Sequence, residues 1–222
     1  MATWWTGPSQ QRLFSSVSIG EGNYHRWMDS VVLSGPKAHL LGYVRSLLHF
    51  PLPDFEVLRM RDLAQDSGGY LSALRNLRSL NLHGARIECI GEEEFRICFS
   101  AFRETLTTLI LENFHTSFSA FVTLVDYFPN ITSLALRSLR LGPDKEPVPS
   151  LSRPFRGKIR IHDYQADHLE FFNRFAGLDP EYEEVTIGTC YRPMETKLLE
   201  SILRMSTSTV KFLRLAGGLR GE

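Results

Sequence analysis

Leu77-Arg-Ser-Leu80-Asn-Leu82, Leu106-Thr-Thr-Leu109-Ile-Leu111, Ile131-Thr-Ser-Leu134-Ala-Leu136 and Val210-Lys-Phe-Leu213-Arg-Leu215 share one pattern, with aliphatic residues at positions one, four and six. Phe14-Ser-Ser-Val17-Ser-Ile19 also fits. Val44-Arg-Ser-Leu47-Leu-His49 departs at its last position. Arg156-Gly-Lys-Ile159-Arg-Ile161 and Tyr182-Glu-Glu-Val185-Thr-Ile187 depart at their first. The eight copies start 25 to 33 residues apart, inside or close to the spacing of leucine-rich repeats. One such motif carries little weight, because Leu is common. Eight in near-constant register specify a repeat architecture.

The physics of the chain explains the spacing. Positions four and six alternate, so both side chains point to one side of a strand. Parallel strands cannot be joined by a hairpin and need a crossover. Helix-period runs supply it: Tyr24, Trp27, Met28, Val31 and Val32; Phe95, Phe99 and Phe102; Phe118, Phe121, Val122 and Val125; Leu169, Phe172 and Phe175; and Leu198, Leu199, Ile202 and Leu203. Asn23, Ser117 and Asp167 stand where N-caps would be useful. A buried Leu or Phe contributes about 1.5–3 kcal/mol. One unit alone buries too little, so units must stack.

The expected fold is therefore α/β: a leucine-rich-repeat solenoid of about eight irregular repeats. Its curved parallel sheet lies on the concave side and its helices on the convex side. Residues 1–11 are expected to form an N-terminal cap or remnant, and residues 12–222 the repeat domain. Residues 142–154 carry four prolines and are expected to form an extended arc in place of a helix.

Alternating strands and helices also describe a doubly wound sheet or an eight-stranded α/β barrel enzyme. Strands in those folds are buried on both faces. Here the third motif position is polar in seven copies, as Ser16, Ser46, Ser79, Thr108, Ser133, Lys158 and Glu184. No phosphate-binding glycine loop follows any strand; Gly20-Glu-Gly22 lacks the later glycine.

Charge and motifs narrow the function classes. Lys plus Arg and Asp plus Glu both number 25, so no global field draws the chain to nucleic acid or to a membrane surface. No apolar run approaches a membrane span, and the N-terminus lacks the pattern of a secretory signal. Cys89, Cys98 and Cys190 have no metal-site spacing and read as reduced thiols of an intracellular protein, in cytoplasm or nucleus. No P-loop, GxSxG, HExxH or paired CxxC occurs. His162, Asp163, Asp167 and His168 are ligand types in no established metal spacing, and read as a turn leading into a helix. No catalytic residue, cofactor or metal is expected.

The open face carries more information. Positions three, five and seven point away from the helices and line the surface that repeat proteins commonly use for binding. The third column is Ser or Thr in its first five copies. It then becomes charged, and Lys158, Arg160, His162, Glu184, Phe212 and Arg214 form the expected partner-binding set. Arg and aromatic residues are enriched at interface hot spots; an ordinary solvated face is the plain alternative.

Arg12-Leu-Phe-Ser-Ser-Val-Ser-Ile19, Tyr24-His-Arg-Trp27, Tyr43-Val-Arg-Ser-Leu47 and Phe128-Pro-Asn-Ile-Thr-Ser-Leu134 together resemble fungal F-box/leucine-rich-repeat proteins over nearly the whole chain. The resemblance implies the substrate-recognition part of a ubiquitin-ligase adaptor. A Skp1-type adaptor would be a partner only if an F-box is present. The Leu-Pro-x-Glu segment that opens such F-boxes has no counterpart here, so no adaptor-contacting residue carries over. The chain is expected to be a fragment, a truncated form or a relative without its F-box. A scaffold or inhibitor-type repeat protein unrelated to ubiquitin is the alternative.

Overall fold

The computed structural model describes residues 8–19, 38–49, 74–84, 96, 99–144, 147–162, 166–188, 200 and 209–216. The chain divides into two compact units, Met1–Leu106 and Thr107–Glu222.

In the first unit, helix α1 (Pro8–Phe14) crosses the boundary expected after residue 11 and leads into β1 (Ser16–Ile19). A 3-10 turn (Ala38–Tyr43) precedes β2 (Ser46–His49), and β3 is Ser79–His83. The three strands are parallel, with Ser16, Ser46 and Ser79 in one row and Val17, Leu47 and Leu80 in the next. Those rows match the repeat alignment residue for residue. The approach to each strand repeats as well. Arg45 and Ser46 both donate their N–H groups to Ser15 O, and Arg78 and Ser79 both donate to Arg45 O. Asn76 Nδ2 bonds Gly42 O at 2.8 Å, and Thr105 Oγ1 bonds Leu77 O at 2.8 Å. Short polar side chains thus satisfy carbonyls that no strand partner reaches. Arg96 and Phe99 are α-helical, as expected for this crossover, and the chain then tightens into a 3-10 turn over Ser100–Phe102; the Phe99 and Phe102 rings are both buried. Thr105 ends this crossover by bonding Phe102 O.

The second unit contains β4 (Thr108–Glu112), β5 (His115–Ser117), α2 (Phe118–Tyr127), β6 (Ser133–Arg137), β7 (Arg140–Gly142), β8 (Arg156–His162), α3 (Ala166–Ala176), β9 (Glu181–Gly188) and β10 (Phe212–Ala216). β4, β6, β8, β9 and β10 pair in parallel and in chain order. A doubly wound sheet would reverse that order, and it does not reverse. Among the described residues, neither unit's sheet closes into a barrel. Leu109, Leu134, Ile159 and Val185 share one register row, and Leu111, Leu136, Ile161 and Ile187 another; all eight are buried.

α2 and α3 cover this apolar face with aromatic rings. Phe121 packs edge-on against Phe171 at 4.7 Å and against Phe175 at 5.7 Å, and Phe118 meets Phe171 at 5.7 Å. Ser117 caps α2 as expected, its Oγ accepting from Ala120 N at 3.2 Å. Asp167 stands inside α3, which is described from Ala166 onward. Trp27, the three cysteines, Asn23 and Asp163 lie outside the described residues.

Three features exceed the sequence pattern. After their strands, Gly84, Asn113 and Ser138 all have positive φ (68°, 49° and 50°). Each stands five residues beyond the third motif position, so the chain turns the same left-handed corner in three repeats. In the second unit this corner starts a second parallel pair, β5 with β7.

Among the described residues of the proline arc, 142–144 and 147–154, none is helical, and the arc is fastened beside α2 at both ends. Asp144 Oδ1 accepts from Ser119 N at 2.8 Å, and Asp144 Oδ2 binds Arg174 Nη2 of α3. Arg174 in turn lies over the Phe118 ring, 4.4 Å from its centre. At the far end, Ser152 N and Oγ both donate to Asp126 Oδ1, and Arg153 bonds Phe128 O. Burial raises the Asp144 pKa, but the Ser119 N–H and the Arg174 bond and charge outweigh it, so the carboxyl is held below its ordinary value.

The third feature is a bulge between β8 and β9. Gly157 pairs with Tyr182 and Lys158 pairs with Glu184, which leaves Glu183 as an extra residue. Gly157 has φ 143°, and a Cβ there would collide with the Thr132 carbonyl oxygen. Only glycine fits that position.

Candidate functional site

The open face of the second unit is read row by row from the strand register. The third-position row runs Thr108, Ser133, Lys158, Glu184, Phe212. The fifth runs Ile110, Ala135, Arg160, Thr186, Arg214, and the seventh Glu112, Arg137, His162, Gly188, Ala216. All six expected partner-binding residues fall on these rows, on adjacent strands β8, β9 and β10. β8 alternates strictly, with Arg156, Lys158 and Arg160 exposed and Gly157, Ile159 and Ile161 buried.

Glu184 is the centre of the group. Its Oε2 is 2.8 Å from Lys158 Nζ and its Oε1 is 3.3 Å from Arg214 Nε. The two long cationic side chains fold over it, so its side chain is only 8% exposed although it lies on the open face. Lys158 donates a hydrogen bond that lowers the Glu184 pKa. Desolvation opposes it, and the charges of Lys158, Arg214 and Arg160 add to the lowering. The bulge makes this placement possible, because it carries Glu184 to the open face while Tyr182 stays in the core.

Arg160 differs from its neighbours. It is exposed, it feels Glu184 through Coulombic attraction, and it makes no hydrogen bond or ion pair among the described residues. The residues on either side of it, Ala135 and Thr186, are short. Phe212, at the next strand but one, has 61% of its surface exposed. Towards the end of the strands, the His162 ring occupies the space that a side chain on Gly188 would need. Arg137 pairs with Glu112 at 3.4 Å. At the rim, Lys211 reaches Glu183 at 3.5 Å and Arg156 reaches Glu181 at 2.9 Å.

Leu213 and Leu215 are 39% and 59% exposed, unlike their counterparts on earlier strands. The helix-period run expected before them, Leu198 to Leu203, lies outside the described residues. Among the described residues no group of three or more His, Cys, Asp or Glu side chains could hold a metal ion. His162 is separated from the rest of its sequence cluster in what can be described, since Asp163 and the side chains of Asp167 and His168 are outside it. Among the described residues no helix is long and apolar enough to cross a membrane.

The sequence pattern gave no sign of the Glu184 hub. Only the pairing of β8 with β9 places Lys158 beside Glu184, and the bulge that sets this pairing follows from Gly157. A glycine inside an otherwise regular strand was the available signal.

No family model matches the chain, and no curated protein or solved structure matches it either.

Proposed function

We propose that this chain is a leucine-rich-repeat solenoid that binds another protein on the open face of its parallel strands, without chemistry of its own. The observation that carries the reading is Arg160: an exposed guanidinium with no hydrogen bond or ion pair among the described residues, set between the short Ala135 and Thr186 and beside the Glu184 ionic hub and an exposed Phe212. Rigid strands hold these groups at fixed spacing. Preorganisation of that kind lowers the ordering cost of binding. Arg and Phe on such a surface are the types that anchor interfaces.

Within that reading, the resemblance of the repeat phrases to fungal F-box/leucine-rich-repeat proteins makes substrate recognition for a ubiquitin ligase the more specific proposal. Titrating the chain with a purified Skp1-type adaptor tests that part. Absence of binding removes the ubiquitin proposal and leaves protein binding standing.

The wider proposal is tested by comparing proteins retained from native extract by the immobilised chain with those retained by the Arg160→Glu/Arg214→Glu variant. Asn173→Glu, on the exposed side of α3, is the control. The double variant should lose proteins that the control keeps. Equal retention by both variants rejects the open face as the binding surface.

A further inference from the structure

We infer that the segment recognised by this face is acidic and extended, with carboxylates spaced to reach Arg160 and Arg214. The inference rests on the open-face reading above and adds the chemistry of the partner. The third, fifth and seventh positions of β4, β6, β8, β9 and β10 carry four cations, Arg137, Lys158, Arg160 and Arg214, against two carboxylates, Glu112 and Glu184. Glu112 is taken by Arg137. Glu184 is shared by Lys158 and Arg214. Arg160 therefore has no ion-pair partner among the described residues, and Arg214, 69% exposed, meets Glu184 with its Nε at 3.3 Å. A guanidinium offers a planar fork that matches a carboxylate through two parallel hydrogen bonds.

The geometry sets the spacing. Arg160 and Arg214 lie in the same row two strands apart, about 10 Å at the usual strand separation. A polyproline-II segment repeats its facing every three residues and advances about 9 Å in doing so. Carboxylates at positions i and i+3 of such a segment span the two guanidinium groups. The short Ala135 and Thr186 leave room for its backbone, and Phe212 offers an apolar surface beside Lys158 and Glu184.

A nucleic acid fits the same face poorly. Its phosphates follow one another at regular short intervals along each strand. Glu184, Glu112 and the rim carboxylates Glu181 and Glu183 would repel such a continuous run.

The test uses the full chain and a fluorescein-labelled peptide carrying Glu at every third position between Pro and Ala residues. Controls are the same peptide with Gln in place of Glu, the same composition with its Glu residues contiguous, and an oligothymidylate of similar length. Binding is read by fluorescence anisotropy at low and moderate salt. The spaced-Glu peptide should bind. Gln replacement, Arg160→Gln and Arg214→Gln should each weaken it by roughly tenfold, the loss of one charge-assisted pair.

Glu184→Gln should tighten it several-fold, because Lys158 and Arg214 are released from their internal partner. That gain cannot come from misfolding. Lys211→Gln, at the rim, should change little. Equal binding of the Gln peptide, indifference to Arg160→Gln, no gain from Glu184→Gln, or tighter Arg160-dependent binding of the oligothymidylate each overturn the inference. Equal binding of the contiguous-Glu peptide overturns the spacing. If the acidic peptide fails while the charge-reversed face still loses proteins from extract, the acidic partner is wrong and the open-face reading stands. If neither responds, both fall.

Discussion

Replacing Leu134 by Asp should destabilise the chain strongly and replacing its neighbour Ser133 by Asp should change little, although the positions are adjacent. Leu134 is fully buried between its register partners Leu109 and Ile159, which are buried too. Truncating such a leucine to alanine costs about 2–5 kcal/mol through lost transfer energy and the cavity left behind. An aspartate there also loses hydration without gaining a hydrogen-bond partner, so the cost is at least as large. In a chain of this size about 4 kcal/mol lowers Tm by about 10 °C.

Ser133 is partly exposed on the opposite face, with Lys158 as its register partner. An aspartate there stays in water beside a cation, and its effect should remain within about 0.5 kcal/mol. Thermal melts followed by circular dichroism, with urea titrations as a second measure, would give both values. Similar losses for the two variants, or a larger loss for Ser133→Asp, would refute the assignment of buried and open faces.

Gly157→Ala should be among the most damaging single-methyl changes in the second unit, at about 2 kcal/mol or more, because it combines a positive φ with a collision against the Thr132 carbonyl; a melting temperature equal to the parent's would argue against the bulge. Asp144→Asn should destabilise the chain at neutral pH. The Asp144 carboxyl is held below its ordinary value of 3.8, so its contribution is present above that value and fades as pH falls through the folded one. The gap in stability between parent and variant should therefore narrow below about pH 4, and a gap that is constant from pH 7 to pH 3 would contradict the role of the carboxylate charge.

How far the fold could be read from the residues depended on what each residue has to satisfy. Leu109, Leu134 and Ile159 must all face the core, and that demand fixes strand, face and register together. Ser117 announces the start of α2 because a capping hydroxyl has a local task. Asp167 is the same kind of residue, yet it stands inside α3, because acidic side chains also suit a first helical turn. The Phe99 and Phe102 rings are buried as their spacing suggests, but the change from α-helix at Phe99 to a 3-10 turn over Ser100–Phe102 leaves no periodic trace.

For the site, Lys158, Arg160, Glu184, Phe212 and Arg214 were legible as residues on one face. Their partnerships were not. Which cation takes Glu184 depends on a bulge and on lateral pairing, and neither leaves a periodic trace. The left-handed corners at Gly84, Asn113 and Ser138 use three different residue types, so no single letter marked them. The fastening of the arc by Asp144 joins residues on different elements, and such a contact has no local signature in the sequence.

The bulge at Gly157 and Lys158 makes parity a structural quantity in this chain. Tyr182 and Glu184 are two residues apart, and in an unbroken strand they would have to share a face. One supernumerary residue, Glu183, lets the aromatic ring enter the core while the carboxylate emerges among the cations. Deleting Glu183 would make the two residues neighbours, and plain alternation would then send the phenol inward and the carboxylate outward with no bulge to accommodate. The position of Gly157, which only glycine fits beside the Thr132 carbonyl, would lose its purpose at the same time. The charge pattern of the outer surface is thus tied to the packing beneath it by counting: an odd separation of ring and carboxylate fits a regular strand, and the even one found here needs the bulge.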